Sequence, residues 1–184
     1  MLSNQTRYDS VAIILHWVMA TAILLMLASG TAMHYFDIPK SLKFNMYQWH
    51  KSLGLILLVA FFLRLFWRIS HKPPLLPISM GKNEVQAAKA GHWLLYLFMI
   101  VMPLSGWVMV SSSVYGLPTI IFGLFQWPHL PHLSGNEIAS NGSKVTHFYG
   151  AILLGVLILG HIGAVIMHYV FQKENILKRM WWSK

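Results

Sequence analysis

Four long apolar runs separated by short polar stretches make up most of the chain: Val11 to Tyr35, Tyr47 to Trp67, Gly91 to Ser112 and His147 to Phe171. Each is close to the roughly 20 residues that a helix needs to cross a ~30 Å hydrocarbon layer. Backbone groups in lipid must be satisfied within their own segment, so each run is predicted to be a helix. The expected fold class is all-α, an antiparallel four-helix transmembrane bundle. Residues 1–184 are expected to form one transmembrane domain with no separate soluble catalytic module. Lys72 to Pro77, reading KPPLLP, is a stiff loop that ends the second helix. Ala28-Ser29-Gly30 resembles a signal cleavage site, but the first run is too long and its leading segment too weakly basic for a signal peptide. No internal repeat, low-complexity segment or Gly-Ser linker is expected.

Composition agrees with this pattern, because 56% of the 184 residues are hydrophobic and only 10% charged, against roughly 25% charged in a soluble domain. Basic residues then set the orientation. Arg7, Arg68, Lys72, Lys82, Lys89, Lys173, Lys178, Arg179 and Lys184 fall on the side that holds both termini. Lys40, Lys43 and Lys144 fall on the other, with Lys51 just inside the membrane edge. The positive-inside rule places both termini in the cytoplasm. Much of the net charge of +9 is therefore a collar suited to anionic lipid heads rather than to nucleic acid.

Cysteine is absent, which excludes a disulfide framework, a thiol nucleophile, a cysteine-held iron–sulfur cluster and covalent Cys-x-x-Cys-His haem attachment. Ten histidines remain as metal ligands. His147, His161 and His168 lie on one stripe of the fourth helix, the first two 14 residues and ~21 Å of helix axis apart. Buried imidazoles without partners cost several kcal/mol each in hydrocarbon, so partners inside the bundle are expected. One reading is interhelical hydrogen bonding. Depth offers another, pairing His16 with His161 near the cytoplasmic edge and His50 with His147 near the outer edge. Two imidazoles per site with no carboxylate nearby suit a six-coordinate haem iron. Zinc usually requires three or four protein ligands, and Asp9, Asp37, Glu84, Glu137 and Glu174 all lie outside the spans.

Gly30 lies 14 residues after His16, and Gly106 lies 14 after His92. Both offer room on a histidine face at the other membrane depth, or simply close helix packing. Arg64 lies 14 after His50 and suits a haem propionate, with snorkelling to head groups as the alternative. His92 is placed to touch the inner haem or its propionates, or to cap the third helix. His34, His71, His129 and His132 read as solvated histidines. The Met19, Met26 and Met33 stripe reads as core filling, and the tryptophans near span ends read as an interfacial belt.

ILHW in the first run, WHKSLG opening the second, FFLRLFWR closing it, AGHWLLY opening the third and the spaced histidines of the fourth, followed by KENILKRM, together resemble the bacterial di-haem cytochrome b561 family over essentially the whole chain. The resemblance implies a bundle holding two non-covalent b-type haems, with His16 and His161 ligating the inner one and His50 and His147 the outer. It is similar in particular to the superoxide oxidase type. That type implies superoxide oxidised to O2 at the periplasmic face, ubiquinone reduced near the cytoplasmic face, and His168 at the quinone pocket. Lys51, beside His50, with Lys40, Lys43 and Lys144 on the same face, would concentrate a small anion. His168 would serve there as a hydrogen-bond donor or proton relay. The alternative is a cytochrome b electron-transfer subunit linking the quinone pool to a dehydrogenase or hydrogenase partner. The outer connector, residues 113–144, departs most from the family pattern.

Overall fold

The computed structural model describes residues 7–77 and 79–182; Lys184 of the basic collar lies outside them. Four helices carry the four apolar runs: α1 (Ser10–Tyr35), α2 (Lys40–Ser70), α3 (Lys82–Ser111) and α4 (Glu137–Val170). All four are long and apolar enough to cross a membrane. The last three begin before their apolar runs, because hydropathy marks only the hydrocarbon-facing turns while polar turns extend the helices into the head-group region. Caps set the starts. Asp9 accepts the Ala12 amide (3.0 Å), Glu84 reaches back to the Gly81 amide (2.9 Å), and Asn136 accepts the Ala139 amide (2.9 Å). Each satisfies an amide that the first helical turn leaves unpaired.

Neighbouring helices pack in sequence, α1 on α2, α2 on α3 and most extensively α3 on α4, whereas α1 and α4 are not among the closely packed pairs. Gly150 permits the α3–α4 approach, since a Cβ there would stand 2.8 Å from Met102 Sδ. Between α1 and α2 the core is built from Met19, Leu57 and Phe61, with Met26 packed against it. Two members of the methionine stripe thus fill the core as expected, and Met33 is likewise buried.

One end of the bundle gathers the segments around Tyr8 and Met180. Asp9 accepts the Trp67 indole N–H (2.9 Å), Trp17 donates to the Met180 carbonyl (2.7 Å), and Arg68 donates to the Tyr8 hydroxyl (3.1 Å). Slight burial would raise the Asp9 pKa. The Ala12 amide and the Trp67 indole outweigh it, and the carboxyl is held below the usual range.

The outer connector is not shapeless. It folds into an antiparallel hairpin, β1 (Thr119–Ile121) and β2 (Phe125–Trp127). Phe122 and Gly123 turn it with positive φ (46° and 78°), the twist that hairpins favour. This hairpin lies on the start of α2. The Ser52 hydroxyl sits 2.8 Å from the Gln48 carbonyl and 3.1 Å from the Ile120 carbonyl, and accepts the Phe122 amide at 3.2 Å. Ser52 is fully buried, so removing its hydroxyl strands the Phe122 N–H, a loss of about 1–3 kcal/mol. Ser52→Ala is expected to speed hydrogen exchange at the Phe122 amide by roughly 10-fold or more, read by mass spectrometry in detergent, with α4 unchanged. Unaltered exchange would mean that Ser52 does not hold the hairpin.

Contrary to the expectation of a chain without repeats, the helices match in pairs once they are aligned by register. His16-Trp17, Met26 and Ser29-Gly30 of α1 recur as His92-Trp93, Met102 and Ser105-Gly106 of α3, at identical spacing. His50 and Arg64 of α2, with His71 just past its end, match in position His147, His161 and His168 of α4, again 14 and 7 residues apart. The halves α1–α2 and α3–α4 thus carry duplicated patterns of histidine, serine and glycine. From His16 to His50 is 34 residues and from His92 to His147 is 55, and the excess of 21 falls in the connector that carries the hairpin.

Candidate functional site

Histidines from different helices meet at two levels. At the outer level, the one nearer the hairpin, the His50 and His147 ring centroids are 6.3 Å apart. At the inner level, the one nearer Tyr8 and Met180, His16 and His161 are also 6.3 Å apart, reaching across the loosely packed α1–α4 side. A metal–imidazole bond of ~2.0 Å plus about 1.1 Å from nitrogen to ring centre, counted from both sides, gives about 6.2 Å for two imidazoles opposite one another on one iron. Both spacings therefore fit bis-imidazole ligation. Among the described residues no group of three or more His, Cys, Asp or Glu is arranged to hold a metal ion, which disfavours a zinc-type cage.

The outer imidazoles are held by matched serines. His147 Nδ1 lies 3.1 Å from the Met102 carbonyl, which can only accept, so this nitrogen carries the proton. Ser105 Oγ, itself donating to the Met102 carbonyl (2.8 Å), lies 3.0 Å from the same Nδ1. On the other half, Ser29 Oγ lies 3.1 Å from the Met26 carbonyl and 2.9 Å from His50 Nδ1. With Nδ1 protonated, Nε2 keeps its lone pair, the form that binds a metal. Gly106 and Gly30 lie against the same rings. A Cβ at Gly106 would stand 3.3 Å from His147 Cε1, and one at Gly30 would stand 3.5 Å from His50 Cε1. The glycines are thus at the outer level, beside histidines of other helices, as their 14-residue offset implied.

The inner level is less symmetric. His92 stands 5.8 Å from His161, nearer than the 6.3 Å of the other pairs, and is exposed where His16 and His161 are half-buried. Arg64 places Nη2 3.3 Å from His16 Nδ1 and its guanidinium 5.9 Å over the Tyr96 ring. A guanidinium can only donate, so in this contact His16 Nδ1 accepts and the ring proton is on Nε2. Arg64, Arg68, His71, Lys72, Tyr8 and Tyr96 line a shallow, solvent-open cleft at this end.

His168, 4% exposed, does not join His161 but hydrogen-bonds through Nδ1 to Gln172 Oε1. Gln172 Nε2 in turn donates to Glu84 Oε1 (2.6 Å). Because the carboxylate must accept, the Gln172 oxygen faces His168 and His168 Nδ1 carries a proton. Lys51 donates to the Pro118 carbonyl under the hairpin (2.8 Å) and remains half-buried. Neither Ser29 nor Ser105 was singled out from the sequence, although the shared Met-x-x-Ser-Gly was there to find. His71, read as a solvated histidine, is exposed and stacks on Trp67 with centroids 3.9 Å apart.

A membrane helical bundle whose interior histidines pair across helices at iron-ligating distance defines a membrane cytochrome of the b type. Comparison with known proteins bears this out, for residues 7–183 match the family described as prokaryotic cytochrome b561, and the chain belongs to that family. Its relatives include "Cytochrome b561 homolog 2" of Escherichia coli K12, 29% identical over 95% of this chain and 90% of that protein. "Cytochrome b561 homolog 1" of the same organism is 25% identical over 95% of this chain and 96% of that protein. "Probable superoxide oxidase CybB" of Yersinia pestis is 27% identical over 95% of each chain. The protein is thus a multi-pass bacterial membrane cytochrome of b-type haem and electron-transfer function.

Proposed function

We propose that this chain is a single-domain di-haem cytochrome that carries electrons from superoxide at the outer face to ubiquinone near the cytoplasmic face. The observation that carries the reading is the equal 6.3 Å spacing of two histidine pairs at two membrane depths. His50 and His147 would hold the outer haem, and His16 and His161 the inner one. Bound haem supplies a one-electron iron couple at each level. The chain's own residues do the rest. Arg64 pairs with a carboxylate of the inner group in place of His16, and His92 packs against His161 at the cytoplasmic side.

The stoichiometry is two superoxide anions, one quinone and two protons giving two O2 and one quinol. Lys51, with Lys40, Lys43 and Lys144 at its end of the bundle, draws the anion toward His50. At the other end His168 keeps Nδ1–H on Gln172, so Nε2 would take up a proton from the cytoplasmic side and then pass it to a quinone oxygen. Nine basic residues at the terminal end support a cytoplasmic position for both termini, against anionic lipid. The name of the Yersinia pestis relative supports the choice of substrate.

The test uses the purified full chain in nanodiscs with both haems and added ubiquinone. Superoxide should reduce the haems rapidly, and quinol should accumulate without any other protein. Haems that remain oxidised until a dehydrogenase or hydrogenase partner is supplied would overturn the superoxide reading and leave an electron-transfer subunit.

A further inference from the structure

The outer histidines are gripped in the same way from two different helices, and this grip has no counterpart among the described hydrogen bonds at the inner level. Met26-Leu27-Ala28-Ser29-Gly30 on α1 and Met102-Pro103-Leu104-Ser105-Gly106 on α3 occupy equivalent positions of the matched halves. In each, the serine hydroxyl reaches the carbonyl three residues back, at 3.1 Å in α1 and 2.8 Å in α3. Such back-bonding commits the hydroxyl proton to the helix and turns the oxygen lone pairs outward. In each, that oxygen then meets Nδ1 of a histidine on the next helix, at 2.9 Å for His50 and 3.0 Å for His147. The following glycine leaves the edge of the ring free at Cε1.

We infer that Ser29 and Ser105 are a matched pair of positioning residues. Each accepts the Nδ1 proton of one outer histidine, so that both present Nε2 to iron, and together they set the reduction potential of the outer haem. This rests on the assignment of His50 and His147 as its ligands. An acceptor on Nδ1–H makes the imidazole a stronger donor through Nε2, which favours the oxidised iron. Removing the acceptor therefore raises the potential.

The two grips are not equal. His147 Nδ1 has the Met102 carbonyl at 3.1 Å as a second acceptor. Among the described hydrogen bonds, His50 Nδ1 has only Ser29. Loss of the Ser29 hydroxyl strips its histidine of that acceptor, while loss of the Ser105 hydroxyl leaves a carbonyl in place. The structure therefore predicts an order as well as a direction.

The experiment is an optical redox titration of the purified full chain with its haems, comparing Ser29→Ala, Ser105→Ala, Ser29→Thr and Ser29→Val. Ser29→Ala should move one of the two midpoint potentials upward and leave the other in place. Ser105→Ala should move the same one upward by less. Thr and Val have nearly the same shape and differ in the hydroxyl, so Ser29→Thr should return to the parent value and Ser29→Val should follow Ser29→Ala. Where an alanine variant sheds the outer haem, retention of that haem by Thr and its loss by Val support the inference equally. Unmoved potentials, equal movement of both, or a larger effect at Ser105 would overturn the inference. His50→Ala and His147→Ala run alongside separate the two levels of failure, because two haems retained in those variants would overturn the ligand assignment itself.

Discussion

Replacing His147 with alanine is expected to leave a protein that carries one haem, and replacing His161 is expected to leave the other. Each belongs to a pair whose rings stand 6.3 Å apart, one at each level of the bundle. An iron that loses one of its two imidazoles loses its low-spin b-type absorbance near ~560 nm and much of its affinity. The dithionite-reduced spectrum per polypeptide should fall by about half in either variant. Two half-variants that lose different haems differ in which midpoint potential survives, so titration distinguishes them. His92→Ala serves as the contrast. At 5.8 Å from His161 it departs from the 6.3 Å that the other two pairs share, and its loss should keep both haems. A His92 variant that loses the inner haem while His16→Ala keeps it would reassign the inner pair to His92 and His161.

The second large effect is expected at Gly106. A Cβ there would approach His147 Cε1 to 3.3 Å and Nδ1 to 3.5 Å, so alanine forces the ring to yield by a few tenths of an ångström. Leucine adds three more carbons where the imidazole already sits. Overpacking of this kind costs about 1–3 kcal/mol even where neighbours can move, and here the neighbour is fixed by Met102 and Ser105. Gly106→Leu should lose the outer haem and superoxide-driven quinone reduction while the inner haem remains. Gly30→Ala, with a Cβ at the ordinary distance of 3.5 Å from His50 Cε1, should keep both haems. If Gly106→Leu retains a full haem complement, the α3 face does not bound the outer site.

Helical periodicity and depth carried the histidine pairing because membrane helices are straight enough for residue number to measure height. His16 with His161 and His50 with His147 needed nothing else. What stayed hidden depends on contacts between positions far apart in the chain. Lys51 meets the Pro118 carbonyl 67 residues away, and no local pattern announces such a bond. The hairpin was partly legible, since β-branched Thr119-Ile120-Ile121 precedes a Phe122-Gly123 turn, but the surrounding apolar membrane pattern drew it into the connector. The Ser-Gly pairs were fully legible and went unread because each serine, taken on its own helix, resembles ordinary small-residue packing. His168 shows the converse. Its stripe placed it on the face of His161, yet Gln172, four residues on, turns its ring toward Glu84.

The matched halves differ at one corner of the inner level, where Arg64 stands in the place that His161 holds on the other half. A second histidine there would have made the two faces interchangeable. A guanidinium instead fixes a permanent positive charge at the terminal end of an otherwise matched pair. At ~10 Å and an effective dielectric of about 20, one such charge favours an added electron by about 2 kcal/mol. Paired with a carboxylate, it still cancels a negative charge that would oppose that electron. If haem occupies both histidine pairs as proposed, that charge tilts the pair toward the site nearer the chain's terminal segments, a bias that the matched spacing of the two levels does not itself supply.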